Sequence, residues 1–345
     1  MFFRPRYLSI LTTRRCTAAC DHCCVGASPR AVEAIPVARI HQLIDEAARV
    51  PSIEVVGFTG GECFTLGRHL DALVAHAHAK GFRTRAITNG YWAASDAAAE
   101  QRVASLRRHG LDEIMFSTGD FHQRFVPVAR IIAGARAAAE AGMVTRVSVE
   151  VCDQSTFDAI GLRSALSDLV ESARITIGED PWTTDAQGRG TATLTHENLL
   201  EKQPTRAHGR CEQILTVISV TPSQDVIACC GIAQEALPQL RLGSIENMAF
   251  DSVLGGTPPE LLKMWLHVAG PSGIAEFVAR YVPGYALPPS ATICQACVAL
   301  QRDDTAMRII SEHARDAIAG VVAAFTNLQQ ADETSTSKHL QLEPV

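Results

Sequence analysis

Three cysteines within eight residues dominate the start of this sequence. Cys16, Cys20 and Cys23 follow an apolar run, Tyr7–Thr12, that is typical of a β-strand. Their thiolates can converge on one inorganic centre. A cubane iron–sulfur cluster usually takes four cysteines, so three would leave one iron open to a small molecule. A zinc site that also uses His22, or a redox-active Cys-x-x-Cys pair, fits the spacing as well.

The chain has 345 residues, 11 cysteines and a net charge of −6. Residues 1–6 lack the apolar stretch of a signal peptide, so we expect a cytoplasmic protein. In a reducing compartment, cysteines indicate metal ligation or reactive chemistry rather than disulfides. The sequence has neither a basic stripe nor an apolar run of the ~20 residues that span a bilayer. We therefore expect neither nucleic acid nor a membrane as a partner.

Strand-like runs alternate with helical patterns through the first half of the chain. Six β–α units in succession predict parallel strands with right-handed crossovers. That count is short of the eight units of a closed barrel, so an open partial barrel or a doubly wound sheet fits. The predicted strands are Tyr7–Thr12, Glu54–Phe58, Thr84–Ile87, Glu113–Ser117, Arg146–Val151 and Arg174–Ile177.

The pattern changes after residue 185. Two apolar runs, Ile214–Val220 and Val226–Ala228, flank a turn at Thr221–Asp225 and predict a β-hairpin. The stretches Pro258–Val282 and Thr305–Leu328 are predicted to be helical.

A second motif follows the second predicted strand, where Thr59 precedes Gly60, Gly61 and Glu62. Glycines let the backbone approach a ligand closely, and a carboxylate suits an ammonium group. A C-x3-C-x2-C loop after the first strand, followed one β–α unit later by Gly-Gly-Glu, resembles the radical S-adenosylmethionine (SAM) superfamily. The resemblance implies an α/β fold, a partial (β/α)6 TIM barrel of the radical SAM type.

The resemblance also implies the cofactors. In that family three cysteines, here Cys16, Cys20 and Cys23, hold a [4Fe–4S] cluster whose open iron binds SAM. An electron from the cluster cleaves SAM to methionine and a 5′-deoxyadenosyl radical. The cofactor-binding residues implied by the resemblance are His22, Gly60, Gly61, Glu62, Asn89 and Ser117. Ordinary strand-ending turns would explain Asn89 and Ser117 equally well.

Polar side chains alternate with valines along the fifth predicted strand. Ser148, Glu150 and Cys152 share one face, and in a barrel one face of each strand points inward. We predict that Glu150 and Cys152 are catalytic residues facing the cofactor cavity. The polar loop Ser117–His122 is interpreted as packing and capping. Cys63, which follows the Gly-Gly-Glu motif, is expected to be a buried thiol near the site.

Five cysteines lie in the C-terminal part of the chain. Their arrangement resembles the SPASM and Twitch extensions of radical SAM enzymes, which carry auxiliary iron–sulfur clusters. Five cysteines suffice for one cluster, so the resemblance implies a Twitch-like domain with an auxiliary [4Fe–4S] cluster on Cys211, Cys229, Cys294 and Cys297. Cys230 is the alternative to Cys229 as a ligand. A structural zinc ion bound by the same four thiolates remains the other interpretation.

These features divide the chain into three parts. Residues 1–185 are expected to form the radical SAM partial barrel, and residues 186–328 a smaller α+β auxiliary-cluster domain. Residues 329–345 are polar and are predicted to be a disordered tail.

The function implied by the resemblance is hydrogen abstraction from a ribosomally synthesised peptide, leading to crosslinking, epimerisation or rearrangement. A radical SAM enzyme acting on a nucleotide or sugar, and a non-enzymatic zinc-binding module, are the alternatives. The expected partners are a precursor peptide and an electron donor such as flavodoxin or ferredoxin. A separate peptide-recognition protein is also expected, because few residues precede the first predicted strand.

Overall fold

The computed structural model describes residues 2–151, 155–181, 209–231, 235, 237–256, 258–290 and 292–334. The described strands are β1 (Tyr7–Leu11), β2 (Val55–Thr59), β3 (Arg83–Thr88), β4 (Glu113–Gly119), β5 (Val144–Val151), β6 (Ile175–Pro181), β7 (Val217–Val220), β8 (Asp225–Ile227) and β9 (Arg241–Ser244). They form one sheet in the order β6-β5-β4-β3-β2-β1-β7-β8-β9.

Helices follow most of these strands. Apolar residues recur every three or four positions along them, which gives each such helix one buried apolar face. The described α-helices are α1 (Val37–Ala47), α2 (Arg68–Ala79), α3 (Asp96–Arg108), α4 (Asp120–Gln123), α5 (Val128–Glu140), α6 (Ala159–Ala165), α7 (Ser167–Glu171), α8 (Phe250–Gly255), α9 (Leu261–Ala279), α10 (Ile293–Arg302) and α11 (Asp304–Thr334). Among the described residues, none of the helices combines the length and the apolar character needed to cross a bilayer.

The first six strands pair in parallel, from β1 with β2 through β5 with β6. Because β6 and β9 lie at opposite ends of the strand order, the sheet is open rather than closed. The predicted α/β fold with a partial parallel barrel is therefore confirmed. Parallel strands bring their carboxyl ends to one edge, where the loops after β1 to β5 meet and where α/β folds place their sites.

The predicted hairpin is confirmed and extends this same sheet. Strand β7 pairs in parallel with β1, with Tyr7 opposite Val217, and β8 then pairs antiparallel with β7. The hairpin turn contains Gln224 at φ 64°, a backbone region that side chains rarely adopt. The predicted boundary between residues 185 and 186 lies outside the described residues.

The last described helix, α11, continues to Thr334, into the stretch expected to be a tail. It packs against α9, where the ring of Phe325 lies 5.5 Å from that of His267. Packing of this apolar face outweighs the polar composition of the helix end. The rest of the predicted tail lies beyond the described residues.

The two faces of the sheet differ in polarity. Side chains such as Leu8 and Phe58 are fully buried in the main apolar core. Alternate side chains of the sheet point to the other face. There Arg85 of β3 and Glu113 of β4 are buried and form an ion pair of 2.6 Å. A polar inner face of this kind suits a cavity that receives ligands.

Candidate active site

The loop after β1 brings the three predicted cluster thiols into one small buried group. Cys16, Cys20 and Cys23 pack together with Ala18, Ala27 and neighbouring apolar side chains. The N–H of Ala18 donates to Cys16 Sγ at 3.4 Å, and the N–H of Ala27 donates to Cys23 Sγ at 3.3 Å. Backbone donors aimed at sulfur stabilise thiolates, as iron–sulfur ligation requires.

Burial raises the pKa of the Cys16 thiol to about 11. A bound metal would hold it as a thiolate at neutral pH, because ligation and deprotonation are coupled. Around a single zinc ion, sulfur ligands lie only about 4 Å apart. In the part of the chain that the structure describes, Cys16, Cys20 and Cys23 do not form a group within 4.8 Å. The three thiols therefore do not already stand at the mutual spacing of ligands around one zinc ion.

The Gly-Gly-Glu loop after β2 packs directly on the chain that leads into the cysteine loop. The N–H of Glu62 donates to the carbonyl oxygen of Arg15 at 2.9 Å. A Cβ atom on Gly61 would lie 2.5 Å from that same oxygen, and one on Gly60 would lie 2.5 Å from the carbonyl oxygen of Thr13. The glycines are therefore required for close approach to this chain's own cysteine loop.

The Glu62 carboxylate is buried and points toward the end of β3. It accepts hydrogen bonds from the N–H of Phe64 at 3.0 Å, from Thr88 Oγ1 at 2.9 Å and from the N–H of Asn89 at 2.7 Å. Burial raises the pKa of the Glu62 carboxyl to about 7, although these donors act in the opposite direction. Glu62 thus connects the loops after β2 and β3.

Asn89 extends this network to the cysteine loop. Its side-chain amide donates to Thr17 Oγ1 at 3.1 Å and lies 3.5 Å from Cys16 Sγ. A chain of hydrogen bonds therefore runs from Glu62 through Asn89 to the first predicted cluster ligand. The predicted residues Glu62 and Asn89 lie at one site, and their observed contacts are with the protein itself.

Glu150, at the end of β5, lies between two histidines. Its Oε2 atom is 2.7 Å from His122 Nδ1 and 3.3 Å from His22 Nε2. The His22 ring stacks on Phe121 with centroids 5.0 Å apart and meets the His122 ring edge-on at 4.8 Å. The site therefore joins the cysteine loop, the loop after β4 and the end of β5.

The charge state of this group follows from burial and proximity. Burial alone would raise the pKa of the Glu150 carboxyl, but His122 and His22 outweigh it and lower the pKa to about 2. Burial lowers the pKa of the His22 imidazole. At neutral pH Glu150 is therefore a carboxylate that lies within ion-pair distance of two imidazole nitrogens. A carboxylate held in this way is poorly suited to act as a general base.

The short helix α4 and the residue after it contact the cysteine loop. Arg124 forms an ion pair of 2.5 Å with Asp21, and its guanidinium lies 5.4 Å from the centre of the Phe121 ring. Asp120 accepts hydrogen bonds of 2.8 Å from the N–H and the hydroxyl of Thr156. Packing and capping, as predicted for this loop, are confirmed for Asp120.

Ser117 and Cys152 were also predicted site residues. Ser117 is half-buried near the end of β4, opposite Ser148 of β5 in the sheet register. Cys152 lies outside the described residues, so its catalytic role stays a prediction. Cys63 is fully buried in the apolar core and its thiol donates to the carbonyl oxygens of Phe58 and Ile87.

The second cysteine group lines one cavity. Its volume is about 410 Å³, including space open to solvent, and its other walls are apolar. The four predicted auxiliary ligands all face it: Cys211, Cys229, Cys294 and Cys297. The last two lie on α10, an element that the sequence patterns missed; a capping box between Thr292 and Gln295 marks its start and was the available signal.

N–H groups of the protein donate hydrogen bonds to two of these sulfurs. The N–H of Gly231 donates to Cys229 Sγ at 3.1 Å, and the Gln301 amide donates to Cys297 Sγ at 2.9 Å. A Cβ atom on Gly231 would come within 3.2 Å of the sulfurs of Cys229 and Cys294. Among the described residues, no three of these cysteines place their sulfurs within 4.8 Å of one another.

The adjacent cysteines of the hairpin point in different directions. Cys229 lines the cavity with the other three thiols. Cys230 packs instead against Tyr7, Val55 and Val217, and burial raises the pKa of its thiol to about 12. Cys230 nevertheless lies near Cys211 and Cys294, whose charges act on its thiol. The cavity lining still favours Cys229 over Cys230 as a ligand.

Comparison with known proteins gives a match for the segment that contains the first of these sites. Residues 10–152, from β1 to the end of β5, match the Radical SAM superfamily. The chain carries a radical SAM domain. The predicted superfamily is confirmed for this domain, and the match implies SAM and a [4Fe–4S] cluster as its cofactors. The residues that bind them stay a prediction.

The radical SAM domain also has a curated relative, YydG of Bacillus subtilis (strain 168), whose name assigns it to peptide biosynthesis. The two are 29% identical over 124 residues, which are 36% of this chain and 39% of YydG. The match thus spans well under half of either protein.

Solved structures share the fold at low sequence identity. Native anSMEcpe with bound AdoMet and Cp18Cys peptide has a TM-score of 0.55 and 12% identity, with 94% of this chain and 99% of that chain covered. Streptococcus suis SuiB bound to precursor peptide SuiA has a TM-score of 0.50 and 16% identity, covering 86% and 76%. These likenesses extend the shared fold beyond the radical SAM domain.

Within the radical SAM domain, sequence reasoning missed Phe121 and His122 as site residues. The polar loop that contains them was noticed, but a contact across three separate loops leaves no spacing pattern in the sequence. The alternation along β5, which singled out Glu150, was the signal closest to this contact.

Proposed function

We propose that this chain is a radical SAM enzyme that abstracts hydrogen from a peptide. The observation that carries the proposal is the group formed by two buried thiols, Cys16 and Cys20, and the half-buried thiol of Cys23, tied through Asn89 to the Gly-Gly-Glu loop. Three ligands leave one iron of a cubane cluster open. When bound there, SAM and the reduced cluster supply a 5′-deoxyadenosyl radical.

The chain's own residues hold this site in shape. Gly60 and Gly61 allow the loop after β2 to sit against the strand end before Cys16. Glu62 fixes the end of β3 by accepting from Thr88 and Asn89. Such prearranged hydrogen bonds keep ligand loops in one geometry, which radical chemistry needs in order to limit side reactions.

A peptide substrate is supported by the relatives. YydG is named for peptide biosynthesis, anSMEcpe was solved with a peptide, and SuiB was solved with a precursor peptide. The proposed substrate is therefore a ribosomally synthesised peptide, altered by crosslinking, epimerisation or rearrangement. A separate recognition protein and a flavodoxin or ferredoxin are the proposed partners.

We further propose one auxiliary [4Fe–4S] cluster on Cys211, Cys229, Cys294 and Cys297. These thiols line one cavity, and burial raises the pKa of Cys211, Cys229 and Cys297. Without a metal, these buried thiols would be protonated. Their position around one cavity supports metal ligation, because a bound metal would hold them as thiolates. Gly231 and Gln301 supply the N–H donors that such sulfurs accept.

The test of SAM cleavage uses anaerobically reconstituted protein. We expect about eight irons per chain for two cubane clusters, and 5′-deoxyadenosine on addition of reductant and SAM. Cys16→Ala, Cys20→Ala and Cys23→Ala should each abolish 5′-deoxyadenosine formation, whereas Cys24→Ala, which changes a thiol outside the motif, should retain it. Cleavage that survives in the three motif variants would refute the assignment.

The peptide is tested separately. A candidate precursor peptide, such as a short reading frame found beside this gene, is incubated with reconstituted enzyme, SAM and reductant, and is analysed by mass spectrometry in H2O and in D2O. A loss of hydrogen indicates crosslinking, and uptake of one deuterium without loss indicates epimerisation. An unchanged peptide alongside turnover of a nucleotide or sugar would contradict the peptide assignment and leave SAM cleavage standing.

A further inference from the structure

A second kind of metal site overlaps the cysteine loop. Cys20, His22 and His122 each place one ligand atom within 4.8 Å of the other two. Cys20 and His22 are buried and His122 is half-buried. Two of these residues come from the cysteine loop and one from α4, so the group shares Cys20 with the three-thiol motif and replaces the other two thiols by imidazoles.

This spacing is close to that of a single ion. Sulfur and nitrogen ligands at about 2.0–2.3 Å from a tetrahedral zinc lie roughly 3.5–4 Å apart, so small side-chain rotations would close the site. Cysteine thiolate and imidazole together are a ligand set that zinc favours.

Glu150 lies beside both imidazole rings and is not itself one of the three ligands. Its carboxylate contacts one nitrogen of each ring, Nδ1 of His122 and Nε2 of His22. The other nitrogen of each ring is the one that we assign to the metal. Metal-binding histidines usually donate their remaining N–H to a carboxylate, which fixes the tautomer and the orientation of the ring.

We propose that Cys20, His22 and His122 bind one divalent zinc ion when the chain lacks its iron–sulfur cluster. Glu150 orients both imidazoles, and the thiol proton of Cys20 is released to solvent on binding. Because Cys20 is also a ligand of the proposed cluster, the two occupants exclude each other. Zinc at this site therefore blocks cluster assembly, and in that respect the inference rests on the proposed function.

The position of α4 supports a site that exists without the cluster. Phe121 stacks on His22, and Arg124 pairs with Asp21, so both histidines are held by protein contacts alone. Cys16 and Cys23 belong to no group within 4.8 Å in the described part of the chain. The proposed zinc site therefore uses one of the three motif thiols.

The experiment uses the full chain, freed of metal by an anaerobic chelator, with cobalt(II) and zinc as probes. The four C-terminal thiols can hold a cobalt ion of their own, so the site is read from the difference between parent and variant. We expect the parent to bind about one equivalent more than the ligand variants, with a difference spectrum of four-coordinate cobalt and a thiolate-to-cobalt band. Cys20→Ala and His122→Ala should lose this spectrum. Cys16→Ala, which removes a motif thiol outside the zinc site, should keep it. Glu150→Gln should weaken binding about 10- to 100-fold.

A spectrum lost in Cys16→Ala and kept in His122→Ala would overturn the proposal, because the ion would then sit on the cluster thiols. His122→Gln, with circular dichroism on all variants, separates loss of the ligand from loss of the fold. Zinc added first should slow iron uptake at the three-thiol site in the parent chain and have little effect at that site in His122→Ala. If no preparation forms an iron–sulfur cluster, the proposed function fails while the cobalt result still decides the zinc site.

Discussion

The backbone N–H of Asn89 donates a hydrogen bond of 2.7 Å to the Glu62 carboxylate, across the gap between the β3 and β2 loops. The same carboxylate accepts from Phe64 and Thr88, so three donors converge on one buried acid. This hydrogen bond links the Gly-Gly-Glu loop to Asn89, whose side chain contacts the cysteine loop.

Replacing Glu62 by Gln should flatten part of the pH dependence of stability. The pKa of Glu62 is about 7 in the folded chain, above its ordinary value of 4.5, so the folded state holds this proton more tightly. Its contribution is therefore full below about pH 4.5 and is lost as the pH rises through 7, a change of about 3 kcal/mol. Urea unfolding at pH 5 and pH 8 measures it.

In Glu62→Gln the two pH values should give more similar free energies of unfolding than in the parent. Glu312→Gln, which changes an exposed acid on α11, is the matched control and should behave like the parent. Equal pH dependence in all three proteins would show that Glu62 does not titrate in this range.

Adding a methyl group at Gly61 should separate the two loops of the radical SAM site. The new Cβ would lie 2.5 Å from the Arg15 carbonyl oxygen, so backbone must shift, at a cost of about 1–3 kcal/mol. Gly61→Ala should lower the iron content of the first cluster and the affinity for SAM several-fold. Gly161→Ala, in α6, meets no atom within 4 Å and should change neither quantity.

The two hairpin cysteines should behave differently. Cys229 lines the auxiliary cavity, so Cys229→Ser should reduce the iron content from about eight to about four per chain. Cys230 packs against Tyr7 and Val55, so Cys230→Ser should keep both clusters. Iron and sulfide analysis on anaerobic samples measures this, and the reverse pattern would assign ligation to Cys230.

The Gln301 side chain should tune the auxiliary cluster. Its amide donates to Cys297 Sγ at 2.9 Å, and N–H donors to sulfur favour the reduced, more negative state of a cluster. Gln301→Met, similar in size and without the donor, should shift the reduction potential of the auxiliary cluster to more negative values. Redox titration followed by electron paramagnetic resonance measures it. The potential of the first cluster serves as the internal control, and an unchanged auxiliary potential would exclude this role.

The central fold was predictable because buried parallel strands are short, nearly continuous apolar runs between helical patterns. The glycines that follow helix ends were predictable too. Each was expected to have a positive φ, and Gly81, Gly110 and Gly142 all have φ between 74° and 93°. Strand β9, Arg241–Ser244, was missed because it is short and only partly buried. Its pairing with β8 stabilises it, and such long-range pairing leaves little local signal.

The site was predictable where its residues are close in sequence. The spacing of Cys16, Cys20 and Cys23 fixed their meeting in one loop, whereas the contact of Glu150 with His122 depends on how three loops fold over one another. The choice between Cys229 and Cys230 likewise depends on where the segment after β8 places each thiol, which their adjacent positions in the sequence leave open.

Strand β1 lies between β2 and β7, with Tyr7 opposite both Val55 and Val217. During translation the first strand can pair early with β2, but its other edge must wait for β7. At ordinary rates of synthesis, the intervening residues take about 10–40 s to emerge from the ribosome. An unpaired strand edge can attract other chains, so the nascent protein carries an aggregation-prone edge beside its iron-binding loop for most of its synthesis. Chaperones and cluster-loading proteins would meet the chain during this interval.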